Sequence, residues 1–171
     1  GDVPVPLDKL IQPRVEPEIV FVMKKRLQGP GVTAATALEA VERVYAGFEV
    51  IDSRYTDYSF ALPDVVADNA SSAYFVVGGK GVSPEELDLA LEAVVLTVNG
   101  ATVATATGAA VQGHPAEALA LAANSLAERG MFIDAGEVVL TGGLTDAVPV
   151  SAGDQISAEF TNLGSLFVTG A

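Results

Sequence analysis

The chain has 171 residues, half of them hydrophobic and 18 % charged, so it can bury the core of one globular domain and is not a disordered segment. Asp and Glu outnumber Lys and Arg 22 to 9, a net charge of −13, which excludes the basic face of a nucleic-acid-binding domain. There is no cysteine, which excludes disulfides and thiolate metal sites, and no apolar run approaches the roughly 18 residues of a membrane helix. A cytoplasmic protein with neither a nucleic-acid nor a membrane partner is the expectation.

Residues 1–14 hold three prolines before Arg14 and read as an extended lead-in. Residues 15–23 read as a strand through Val20, Phe21 and Val22. Glu16 and Glu18 then leave the same face, about 6.6 Å apart at a rise of about 3.3 Å per residue. Pro17 lacks a ladder donor and predicts an edge or the very start of that strand. Gln28-Gly29-Pro30-Gly31 reads as a turn, and Thr33 as the cap of a helix over Thr36 to Tyr45 that Gly47 ends. Phe48 to Asp52 follows as a short strand that carries Glu49 on a face expected to point inward, where a charge needs a reason.

Residues 53–71 form a long polar connection, a length that often carries function. Tyr74 to Val77 reads as a strand. Ser83-Pro84-Glu85-Glu86 has the chemistry of a helix start. Val94 to Val98 and Ala101 to Ala106 form a hairpin around Asn99-Gly100. Pro115 to Arg129 is the strongest helix, closed by Gly130. Strands at Glu137 to Thr141, Gln155 to Phe160 and Ser165 to Thr169 complete the chain, with Gly142-Gly143 read as a turn. Eight or nine strands with about three helices predict a β-rich α+β fold, a curled, mostly antiparallel sheet with flanking helices.

Glu16, Glu18 and Glu49 can offer three carboxylate oxygens to one Mg²⁺ or Mn²⁺, cations that prefer oxygen ligands. The Glu-x-Glu spacing fits an ordinary exposed strand face equally. His114, the only histidine, reads as a general base or as part of the start of its helix. Arg14 and Arg54 suit a substrate carboxylate or the holding of a glutamate. Ser71, Ser72, Thr141 and Thr145 can donate to a substrate or serve turns and caps.

Six stretches together resemble the fumarylacetoacetate hydrolase superfamily, in its branch of 2-oxo acid decarboxylases and hydratases. They are Leu10 to Phe21, Phe48 to Tyr55, Val65 to Ser72, Gly108 to Pro115, Leu140 to Thr145 and Leu163 to Ser165. The resemblance implies that fold as a β-roll, Mg²⁺ (or Mn²⁺) held by Glu16, Glu18 and Glu49, and substrate contacts from Arg54, Ser71, Ser72, Thr141 and Thr145. It implies decarboxylation of 2-oxo-3-hexenedioate to 2-hydroxypenta-2,4-dienoate, with hydration of that dienoate as the alternative. Its implied partners are a 2-oxo dicarboxylate, further copies of the chain and a vinylpyruvate hydratase. Family members also carry an N-terminal segment with an active-site lysine. Residues 1–171 read as one catalytic domain that begins after that segment, and Lys9, Lys24, Lys25 and Lys80 match no motif of it. A non-catalytic metal-binding or assembly domain is the third reading.

Overall fold

Residues 3–171, which the computed structural model describes, form ten strands and three α-helices joined by short 3₁₀ turns. The strands are β1 (Val3–Val5), β2 (Arg14–Met23), β3 (Val41–Ile51), β4 (Ser72–Val77), β5 (Ala93–Val98), β6 (Ala101–Thr107), β7 (Val138–Gly143), β8 (Val148–Pro149), β9 (Gln155–Phe160) and β10 (Gly164–Gly170). The helices are α1 (Ala34–Leu38), α2 (Leu62–Ala67) and α3 (Pro115–Ala127). Residues 1 and 2 of the expected lead-in lie outside the described residues.

Two sheets result. One runs β4-β3-β2-β7, with β8 beside the start of β2; the other runs β1-β10-β9-β5-β6. Every pairing is antiparallel except β1 with β10. Period-two alternation sends Val15, Ile19 and Phe21 of β2 and Ala46, Phe48 and Val50 of β3 to one face. They are buried there in one core with Val94, Leu96, Ile156, Ala158, Phe160 and Val168 of the second sheet. Helix α3 adds Leu119, Ala120 and Ala123, spaced to share one helical face, and packs against β7 and α1. The architecture is the expected β-rich α+β fold.

Several local expectations change. The predicted helix over Thr36 to Tyr45 is one short helix, α1, and the chain enters β3 at Val41. Leu38, Val41 and Tyr45 have helical spacing, but Val44, Ala46, Phe48 and Val50 alternate, and pairing with β2 from Arg14–Ile51 to Val22–Arg43 wins over the local signal. Gly47 therefore sits buried in mid-strand, where an added Cβ would collide with Val20. Ser83-Pro84 opens only a 3₁₀ turn, while α2 lies inside the connection read as irregular.

Strand β2 is central, not an edge. The Pro17 carbonyl accepts from Leu144 N–H, so the nitrogen of Pro17 faces the same side, at the break between β7 and β8 where no ladder donor is required. The Asn99-Gly100 hairpin and α3 form as expected. Asn99 and Gly100 both have positive φ (52° and 80°), as a type I′ turn requires. His114 caps α3, its Nδ1 accepting the Ala116 N–H at 3.0 Å.

Candidate metal centre

The face of β2 and β3 opposite the core carries the polar residues. Residues directly across a ladder share a face. Glu16 lies opposite Glu49, Glu18 opposite Gly47, and Arg14 opposite Ile51. On the far side of β3, Phe75 lies opposite Glu49; on the far side of β2, Gly143 lies opposite Glu18. One carboxylate oxygen from each of Glu16, Glu18 and Glu49 falls within 4.8 Å of the others. The strand parity explains Glu16 with Glu18, and the β2–β3 register brings in Glu49.

Three carboxylates this close repel one another unless a proton or a cation intervenes. Glu18 is 1 % exposed. Burial, then the charges of Glu49 and Glu16, pushes its pKa up to about 8, against the opposing pull of a hydrogen bond from Gly142 N–H. Burial, then Glu49 and, least of all, the charge of Asp146, raises Glu16 to about 7. No ion pair among the described residues neutralises any of the three. An all-oxygen donor set that lacks a protein counter-charge fits a hard divalent cation.

Strand β7 completes the cluster by a bulge. Between Glu18–Gly143 and Val20–Leu140, β7 spends one more residue than β2. Gly142 sits there at φ +119° and donates its N–H to Glu18 Oε2 at 2.8 Å. The Thr141 hydroxyl donates to the Ile19 carbonyl at 2.8 Å. Gly142-Gly143 is thus the bulged end of a strand, not the turn expected from its two glycines.

A rim of polar bonds ties the start of β2 to the connection after β3. Asp52, buried, accepts from Ile11 N–H at 3.0 Å and Gln12 N–H at 2.7 Å. The Gln12 amide donates to the Ser53 and Tyr55 carbonyls. The Tyr58 hydroxyl lies 3.1 Å from the carbonyl oxygens of both Gln12 and Ile51, and the Arg14 guanidinium covers its ring at 4.2 Å. Burial pushes the Tyr58 phenol above its usual range. A second knot surrounds Asp68, which accepts from Ser53 Oγ at 3.3 Å, Ser71 Oγ at 3.2 Å, and the backbone N–H and Nε of Arg54. Asn69, Ala70 and Ser71 follow it in the left-handed region.

Of the residues singled out in the sequence, the structure brings Glu16, Glu18 and Glu49 together and places Arg14 on their face. Arg54 and Ser71 bind Asp68, and Arg54 Nη1 also reaches the Asp52 carbonyl at 3.2 Å. Thr141 serves the β7 bulge. Ser72 opens β4 opposite Ile51, and Thr145, half-buried after β7, donates to the Asp146 carbonyl at 3.0 Å. His114 is a helix cap. Lys9, Lys24, Lys25 and Lys80 are exposed. Sequence reading missed Gly47, Phe75, Gly142 and Gly143 as parts of the site. Only the paired glycines gave a local signal, and it reads equally as a turn.

Comparison with known proteins identifies the family and the fold. Residues 1–169 match the fumarylacetoacetate (FAA) hydrolase C-terminal family. The 4-oxalocrotonate decarboxylase of Pseudomonas sp. (strain CF600) is 48 % identical over 162 residues, 95 % of this chain and 61 % of that protein. The 2-hydroxyhexa-2,4-dienoate hydratase of Comamonas testosteroni is 47 % identical over 156 residues, 91 % of this chain and 59 % of that protein. The solved structure of 4-oxalocrotonate decarboxylase from Pseudomonas putida G7, complexed with magnesium and adipate, superposes with a TM-score of 0.96 at 45 % identity. It covers 99 % of this chain and 65 % of that one. The chain thus spans about three-fifths of the length of these relatives. No helix among the described residues is long and apolar enough to cross a membrane.

Proposed function

The chain belongs to the fumarylacetoacetate hydrolase family, and from that premise we propose that it is the metal-binding part of an Mg²⁺-dependent decarboxylase. The substrate in this reading is 2-oxo-3-hexenedioate (4-oxalocrotonate), and the products are CO₂ and 2-hydroxypenta-2,4-dienoate. The observation that carries it is the meeting of Glu16, Glu18 and Glu49 on one sheet face, none of them in an ion pair among the described residues. The named decarboxylases among the relatives, one of them solved with magnesium, support it.

Glu16, Glu18 and Glu49 would hold Mg²⁺, with Mn²⁺ as a substitute. A divalent cation there supplies Lewis acidity where negative charge develops on the 2-oxo oxygen as the distal carboxylate leaves. The protein's own part is to hold the carboxylates still: Gly142 N–H fixes Glu18, and the β2–β3 ladder fixes Glu16 against Glu49. Phe75 gives that face an apolar wall beside Glu49. Ser72 is assigned to the substrate. Arg54, Ser71, Thr141 and Thr145 are assigned to holding the frame of the site, because each already donates into the protein. The reading also includes self-association and a complex with a vinylpyruvate hydratase, which co-sedimentation tests.

Hydration of a 2-hydroxydienoate is the second reading, favoured by the 47 % identity to the Comamonas hydratase. Separate incubations with 2-oxo-3-hexenedioate and with 2-hydroxypenta-2,4-dienoate, each with and without Mg²⁺, decide between them. Mg²⁺-dependent CO₂ release supports decarboxylation. Consumption of 2-hydroxypenta-2,4-dienoate without CO₂ supports hydration. Neither reaction leaves a non-catalytic metal-binding or assembly domain, the third reading.

A further inference from the structure

The two glycines that end β7 differ in what a side chain would meet there. At Gly142 the backbone itself is the obstacle, since φ is +119° while the nearest side-chain atom to an added Cβ, on Val111, lies 3.8 Å away. At Gly143 the backbone lies outside the left-handed region, so any residue can adopt it. The obstacle there is Glu16. An added Cβ would lie 2.7 Å from Glu16 Cδ, closer still to Oε2, and 3.2 Å from the Thr145 carbonyl oxygen. The Glu16 carboxylate therefore occupies the place of the side chain that Gly143 lacks.

We infer that Gly142 and Gly143 are positioning residues for the divalent cation, each acting on a different carboxylate. Gly142 aims its N–H at Glu18, and Gly143 leaves the space in which the Glu16 carboxylate stands beside Glu49 and Glu18. The inference rests on the reading of these three glutamates as one ligand set. It separates folding from binding at Gly143, because the end of a flexible Glu side chain can move aside while the backbone stays where it is.

The test is a Mn²⁺ titration of the whole chain, read by electron paramagnetic resonance, with thermal melts in chelator alongside. In Gly143→Ala the chelated protein should melt within a few degrees of the parent, while Mn²⁺ binds at least about tenfold more weakly, the usual scale for loss of a group that orients a ligand. A double-mutant cycle with Glu16→Asp identifies the route. The shorter side chain withdraws the carboxylate from the new Cβ, so Gly143→Ala should cost at least about threefold less affinity when made on top of Glu16→Asp. If Gly143→Ala does not fold, the double variant should regain the fold, and failure to regain it overturns the inference. A parent that binds Mn²⁺ alongside a Gly143→Ala variant that binds equally well, or a strictly additive cycle, overturns the inference and leaves the ligand set standing. A parent that binds no Mn²⁺ at millimolar concentration removes the ligand set itself, and the inference with it.

Discussion

Replacing Glu18 by Gln separates the cost of the buried acid from its use. Glu18 titrates near 8 in the folded protein against an ordinary value of 4.5. The folded state therefore binds more protons than the unfolded state between those values, and stability falls as pH rises through that window. At pH 8 without metal the full shift corresponds to about 4 kcal/mol, and at pH 4.5 to less than about 0.5 kcal/mol. Gln keeps an oxygen for the Gly142 N–H and carries no charge, so some of that penalty should be recovered. Allowing for relaxation around the site, the chelated Glu18→Gln protein should gain about 2–4 kcal/mol at pH 8, or roughly 5–15 °C in melting temperature for a chain of this size. At pH 4.5 the two proteins should melt together. Saturating Mg²⁺ should reverse the order at pH 8, because ligation stabilises only the parent strongly. Differential scanning calorimetry over pH, with chelator and with Mg²⁺, makes the comparison. A variant less stable than the parent at pH 8 in chelator, or one with the same gain at pH 4.5, would refute the reasoning.

Three further outcomes test the frame around the site. Gly47→Ala should cost about 1–3 kcal/mol by overpacking, since its Cβ meets Val20 inside the β2–β3 ladder; chemical denaturation measures it. Glu92 is 1 % exposed and accepts from Asn162 N–H at 2.7 Å, Asn162 Nδ2 at 2.8 Å and Leu163 N–H at 3.1 Å, so Glu92→Ala should cost about 3 kcal/mol and Glu92→Gln clearly less in the same assay. Burial works to raise the Asp68 pKa, but the N–H and guanidinium of Arg54 prevail and hold it below the usual 3.8. Its contribution is thus complete above 3.8 and lost as pH falls through the lower folded value, so hydrogen exchange in residues 53–71 should accelerate in strong acid, and already at neutral pH in Asp68→Asn.

The elements that depend on near neighbours were legible in the sequence. Two glutamates at i and i+2 share a strand face whatever the fold, because the backbone pleat repeats every two residues. Asn99-Gly100 reads as a tight hairpin because its turn requires two positive φ angles, and His114-Pro115 to Gly130 reads as a helix with both of its ends. Glu49 was legible as a charge on an inward strand face and, through its likeness to a family motif, as a third ligand, but nothing within a few residues shows that it will stand opposite Glu16. The misreadings share a cause. Val41 to Tyr45 has helical spacing in isolation and becomes strand because β2 lies beside it; Pro17 looks like an edge and is central because its nitrogen meets a break between two neighbours. Composition, turn chemistry and side-chain parity are local properties, and the sequence by itself determined them here: a β-rich α+β domain with an acidic pair on one face. Register is a property of two strands at once, and only the tertiary structure decided that Glu49 completes the cluster and that Gly142 and Gly143 close around it.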